Sequence, residues 1–86
     1  MTTLSLLYFA SVREKIGLSG ETVDIPDEAQ SIADLIMWLR RRGPQYEAAF
    51  ADEDKVRAAI DQQHANTNAP IKEAREVAFF PPVTGG

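Results

Sequence analysis

The sequence predicts an α+β domain in which a mixed sheet folds over one main helix, with short extra helical turns beside it. Three observations lead there. Ile32, Leu35, Ile36 and Leu39 recur at i, i+3, i+4 and i+7, the spacing of a single apolar stripe on an α-helix. Short runs with period-two alternation stand before and after that helix, two on each side. With 86 residues and 44% apolar content, the chain makes one small core and no second domain.

Residues Thr3 to Phe9 form the first strand, with Leu4, Leu6 and Tyr8 on the face expected to meet the core and Ser5, Leu7 and Phe9 on the other. Leu7 and Phe9 then leave a partly apolar outer surface, the kind that serves partner contact. Ser11 to Ile16 make a short helical turn closed by Gly17. Gly17 and Gly20 punctuate the turn into Glu21–Ile25, whose Val23 and Ile25 share a face. These runs make an opening antiparallel pair, which Pro26 stops. Ser31, with Asp34 three residues on, has the pattern of a helix N-cap, where a hydroxyl accepts from an unpaired backbone N–H. Arg40, Arg41 and Arg42 fall in the last turn, where cations meet the negative end of the helix dipole, and Gly43-Pro44 ends the helix. The arginine run reads as a solvated helix end.

Gln45 to Phe50 adds a helical turn that covers one end of the core with Tyr46, Ala49 and Phe50. Val56, Ala58 and Ile60 alternate as a third strand, Asn66 to Pro70 turn the chain, and Ile71 drops into the core. The last strand is Glu76–Phe80, with Val77 and Phe79 on one face and Ala78 and Phe80 on the other. The order β, β, α, β, β around one long helix is the β-grasp, or ubiquitin-like, layout. Residues 1–82 are expected to form that domain and residues 83–86 a flexible Gly-Gly tail.

Composition removes several chemistries. There is no cysteine, so thiol nucleophiles, disulfides and zinc-thiolate sites are excluded. A net charge of −4 argues against nucleic acid and anionic membrane as partners, because both need clustered cations. No basic region followed by an apolar run opens the chain, and nothing approaches the ~20 apolar residues of a membrane span, so a cytoplasmic location is expected. Asp52-Glu53-Asp54 lacks the glycine and spaced ligands of a calcium loop, and no metal is expected. His64, the single histidine, has no serine or acidic partner pattern and reads as a surface or strand residue.

The chemistry is expected at the C-terminal run Phe79-Phe80-Pro81-Pro82-Val83-Thr84-Gly85-Gly86. Pro81 and Pro82 have no N–H to extend a ladder and favour a stiff extended path. From Pro82, five residues at ~3.4 Å each reach about 17 Å from the domain, enough to enter a site on another protein. Val83 and Thr84 can anchor such a segment by side chain and hydroxyl. Gly85 and Gly86 lack a Cβ and pass where other residues do not fit. The reactive group is then the terminal carboxylate of Gly86. Joined to AMP from ATP it gains a good leaving group, and attack by a persulfide can leave a thiocarboxylate. In a chain without cysteine, sulfur would ride on the terminus.

The run Glu76 to Gly86 resembles the C-terminal signature of the small subunit of molybdopterin synthase. Phe9-Ala10 followed by Val12-Arg13-Glu14 is similar to the end of that family's first strand. The turn before the last strand departs from the pattern: Ala74-Arg75 stand where the family often has Gly-Asp. The resemblance implies a β-grasp fold, no bound cofactor, and a carrier whose Gly86 is adenylated by an ATP-dependent activating enzyme. A sulfur donor protein then gives it a thiocarboxylate. It implies insertion of Val83, Thr84, Gly85 and Gly86 into the large synthase subunit, in a heterotetramer of two small and two large subunits. There two sulfurs pass in turn to cyclic pyranopterin monophosphate, making the dithiolene of molybdopterin. Catalytic side chains would belong mainly to the large subunit of this sulfurtransferase. Phe80, Pro81, Pro82, Phe9 and Leu7 are the candidates for partner contact.

Two other uses of the same tail stay open at this point. One is sulfur delivery to thiamine or to tRNA thiolation, against which the Phe-Phe-Pro-Pro run argues. The other is a ubiquitin-like modifier whose Gly86 is joined to a lysine of another protein.

Overall fold

A computed structural model describes residues 2–82. Strands Thr2–Tyr8 (β1), Gly20–Ile25 (β2), Arg57–Ile60 (β3), Gln63–Ala65 (β4) and Glu76–Phe80 (β5) form one sheet in the order β2-β1-β5-β3-β4. Helices Ala10–Ile16 (α1), Ile32–Arg40 (α2) and Pro44–Phe50 (α3), with a 3₁₀ turn at Glu53–Lys55, make up the rest of the regular structure. The sheet is mixed: β1 and β5 run parallel, and every other pair is antiparallel. The last strand is therefore central, held by β1 on one side and β3 on the other.

The predicted faces hold. Leu4, Leu6 and Tyr8 of β1, Val23 and Ile25 of β2, and Val77 and Phe79 of β5 are buried under the stripe Ile32, Leu35, Ile36 and Leu39 of α2. Phe79 lies at the centre: its ring stacks on Tyr8 at 6.3 Å and meets Phe50 edge-on at 5.0 Å. Such offset and edge contacts are the arrangements aromatic quadrupoles favour. Phe50, Tyr46 and Ala49 close the end of the core, as expected.

Helix boundaries follow their capping chemistry. Ser31 Oγ accepts from the Asp34 N–H at 3.2 Å, while the Asp34 carboxylate reaches back to accept from the Gln30 N–H at 2.9 Å. Two more N–H groups of the first turn, at Ile32 and Ala33, donate to the carbonyls of Ala69 and Thr67, so the loop before β5 completes the cap. Gly17 closes α1 at φ 89°, in the left-handed region that glycine enters without cost. Gly43-Pro44 starts α3, with Pro44 where a missing N–H costs nothing, whereas α2 stops earlier than expected, at Arg40 with Arg41 as its C-cap.

Three expectations are corrected. Phe9 lies just past β1, at the N-cap of α1. A fifth strand, β4, pairs antiparallel to β3 and carries His64. It has no apolar alternation, and its hairpin turns through Asp61 and Gln62 at φ 48° and 73° without a glycine to announce it. Asp61 is held there because its carboxylate accepts from the N–H groups of Arg75 and Glu76, both at 3.0 Å. Finally, the arginine run is not simply a solvated end. Arg40 makes two hydrogen bonds to Glu47, and Arg42 folds back over Trp38 and Tyr46 at 5.3 and 5.1 Å from their ring centres.

Candidate functional site

The sheet's outer face is built by strand register. Leu7 pairs with Gly20 on one side and Ala78 on the other, Ala78 pairs with Ala59, and Ala59 with His64. This row crosses the sheet with one large aliphatic side chain, small residues beside it and an imidazole at the edge. Phe80 stands beyond Ala78, opposite Arg57, and its ring meets His64 edge-on at 5.4 Å. Because side chains alternate across a strand, burial of Phe79 in the core requires Phe80 to face out. Phe80 and Leu7 are half-buried, outside the core cluster.

Phe9 is 46% exposed at the end of the same face, and its N–H donates to the Phe79 carbonyl at 3.0 Å. The Tyr8 N–H donates to the Ser19 carbonyl at 2.9 Å, and Leu18, just before it in the chain, is 43% exposed. His64 is the member of this face that the sequence does not announce: the β3–β4 register, which neither glycine spacing nor alternation supplies, carries it to Phe80.

The chain leaves β5 through Pro81 and Pro82, both half-buried. They form one wall of a groove of about 540 Å³ between α1 and α3, with Val12, Ala48, Ala49 and Ala51 as its apolar lining and Ser11, Lys15, Asp52 and Lys55 at its rim. Thus the structure brings Leu7, Phe9, Phe80, Pro81 and Pro82 to the end of the sheet where the tail departs. Val83, Thr84, Gly85 and Gly86 lie outside the described residues.

A second polar cluster sits at the β2 corner. Glu21 accepts from the hydroxyls of Tyr8 at 2.8 Å and Tyr46 at 2.7 Å, and from Arg42 at 3.1 Å. Partial burial alone would raise the Glu21 carboxyl, but the tyrosine hydrogen bonds and the Arg42 charge outweigh it and hold the group below its usual range. Burial first, then donation to Glu21, pushes both tyrosine phenols up. A carboxylate whose lone pairs are taken by three donors is a brace, joining β1, β2 and α3, and is poorly placed to act as a base. Among the described residues no group of three or more His, Asp or Glu side chains could hold a metal ion, and no helix is long and apolar enough to cross a membrane.

A mixed sheet wrapped over one helix, its last strand central and followed at once by two prolines, defines a ubiquitin-like β-grasp protein. The model of the ThiS family matches residues 6–86, and the chain belongs to that family. It is 32% identical over 83 residues to the molybdopterin synthase sulfur carrier subunit of Haemophilus influenzae, covering 96% of this chain and 99% of that one. The protein of the same name from Escherichia coli is 31% identical with the same coverage. Among solved structures, SAMP1 from Haloferax volcanii superposes with a TM-score of 0.76 at 26% identity, covering 99% of this chain and 100% of that one.

Proposed function

We propose that this chain is the sulfur carrier subunit of a molybdopterin synthase, working through a thiocarboxylate on Gly86. The observation that carries the reading is the mounting of the terminal segment: a central strand, locked by Phe79 in the core, runs directly into Pro81-Pro82 and the Val-Thr-Gly-Gly end. The names of its relatives agree with it.

The Gly86 carboxylate attacks the α-phosphorus of ATP on an activating enzyme, releasing pyrophosphate and forming an acyl adenylate. The terminal sulfur of a donor persulfide then attacks the acyl carbon and expels AMP. A thiol cleaves the resulting S–S bond, leaving the thiocarboxylate on this chain and a disulfide on the donor side. In the large synthase subunit, within a heterotetramer of two small and two large subunits, the thiocarboxylate sulfur attacks a side-chain carbon of cyclic pyranopterin monophosphate and displaces an oxygen substituent from it, leaving the sulfur bonded to both that carbon and the acyl carbon. Hydrolysis of the acyl link returns the free carboxylate, and a second carrier supplies the second sulfur. The rigid core positions the tail, Gly85 and Gly86 pass through a narrow channel, Val83 and Thr84 anchor it, and Leu7, Phe9, Phe80, Pro81 and Pro82 meet the partner.

The test is to incubate the thiocarboxylated protein with the large subunit and the pyranopterin precursor and assay the dithiolene product. Product formed equally well by a chain lacking Gly86 would reject the reading. The fold shared with SAMP1 favours one competitor, a modifier. That role predicts amide-linked conjugates that survive thiol reagents.

A further inference from the structure

The groove between α1 and α3 is not needed to hold the tail's chemistry, yet it opens against the two prolines from which the tail departs. We propose that it seats an acidic segment of the large subunit, with an apolar side chain on the Val12–Ala49 floor and a carboxylate at Lys15. This rests on the carrier reading above.

Three features point to that occupant. The floor is apolar and open because α3 and its C-cap present Ala48, Ala49 and Ala51 where larger residues would fill the space. The wall is Pro81-Pro82, so a protein that swallows the chain beyond Pro82 must bring its channel mouth against this groove. The rim is net positive, two lysines against the single carboxylate of Asp52, on a chain whose net charge is −4. Lys55 is paired with Asp52 only at 3.8 Å, with both side chains largely exposed, and Lys15 is exposed with no ion pair among the described residues. A net positive rim beside an apolar floor is complementary to a carboxylate next to an apolar side chain, and charge complementarity of this kind sets orientation and association rate.

The experiment measures binding of the full chain to the large subunit at low and high salt, for wild type, Lys15→Glu, Lys15→Arg and Ala48→Trp, with melting temperature as a check on folding. Both altered positions are exposed, so the fold should persist. Lys15→Glu should raise Kd by about tenfold at low salt, and the difference should shrink as salt screens the pair. Lys15→Arg should bind like wild type. Ala48→Trp fills the groove and should weaken binding by at least about tenfold at either salt. Wild-type binding by both Lys15→Glu and Ala48→Trp overturns the groove while leaving the carrier reading standing. Tighter binding by Lys15→Glu also overturns it, since the partner would then favour an anion at this position. A wild-type chain that does not bind the large subunit sinks the carrier reading and the groove together.

Discussion

The Tyr8 hydroxyl donates to Glu21 at 2.8 Å while the face of the same ring stacks on Phe79 of the tail-bearing strand. One residue of β1 thus links a polar brace at the sheet's corner to the strand that launches the C-terminus. With Tyr46 and Arg42 on the same carboxylate, β1, β2, α3 and the turn that precedes α3 meet at Glu21.

Replacing Glu21 by Gln keeps the shape but loses the charge and turns one of the two acceptor oxygens into an NH2 donor facing other donors, and should destabilise the fold by about 1–3 kcal/mol. Chemical denaturation of the two proteins measures it. The pH dependence follows from the shift directions. Glu21 is depressed, so its contribution is complete above the usual carboxylate range near 4.3 and is lost as pH falls through its lower folded value. Tyr8 and Tyr46 are raised, so their contribution is complete below about pH 10 and is lost as pH rises beyond it. Glu21→Gln should flatten the acid side of the stability profile.

Phe79→Ala should cost about 3–5 kcal/mol, because the ring is fully buried between Tyr8 and Phe50 and its removal leaves a cavity. Thermal melting would show it, and partner affinity measured well below the melting temperature should fall less steeply.

Phe80→Ala should do the reverse. Its ring is half-buried on the outer face against His64, so truncation should weaken binding of the large subunit more than it lowers the melting temperature. A large loss of melting temperature at unchanged affinity would assign the ring to the fold.

Gly17→Ala tests the backbone alone. The added methyl meets nothing within 4 Å, but φ of 89° strains any residue with a Cβ, so a loss of about 1 kcal/mol is expected without change in thiocarboxylation. Intact mass after incubation with activating enzyme, ATP and sulfur donor checks the second half: the same oxygen-to-sulfur exchange should occur.

The sequence by itself determined the parts of this protein that depend on local spacing. The α2 stripe, its Ser31 cap, the inward set of β1 and the alternation that buries Phe79 and turns Phe80 outward are all visible along the chain, since helix and strand periods are local properties. The Pro-Pro segment and the terminal glycines are legible for the same reason. Only the tertiary structure decided what depends on residues far apart meeting. It set β5 between β1 and β3 and aligned Leu7, Ala78, Ala59 and His64 in one row. It also bent Arg42 back onto Trp38, Tyr46 and Glu21, and opened the groove beside Pro81 and Pro82. Register and long-range pairing are chosen by the energy of the whole packed core, and no short window of sequence contains that energy.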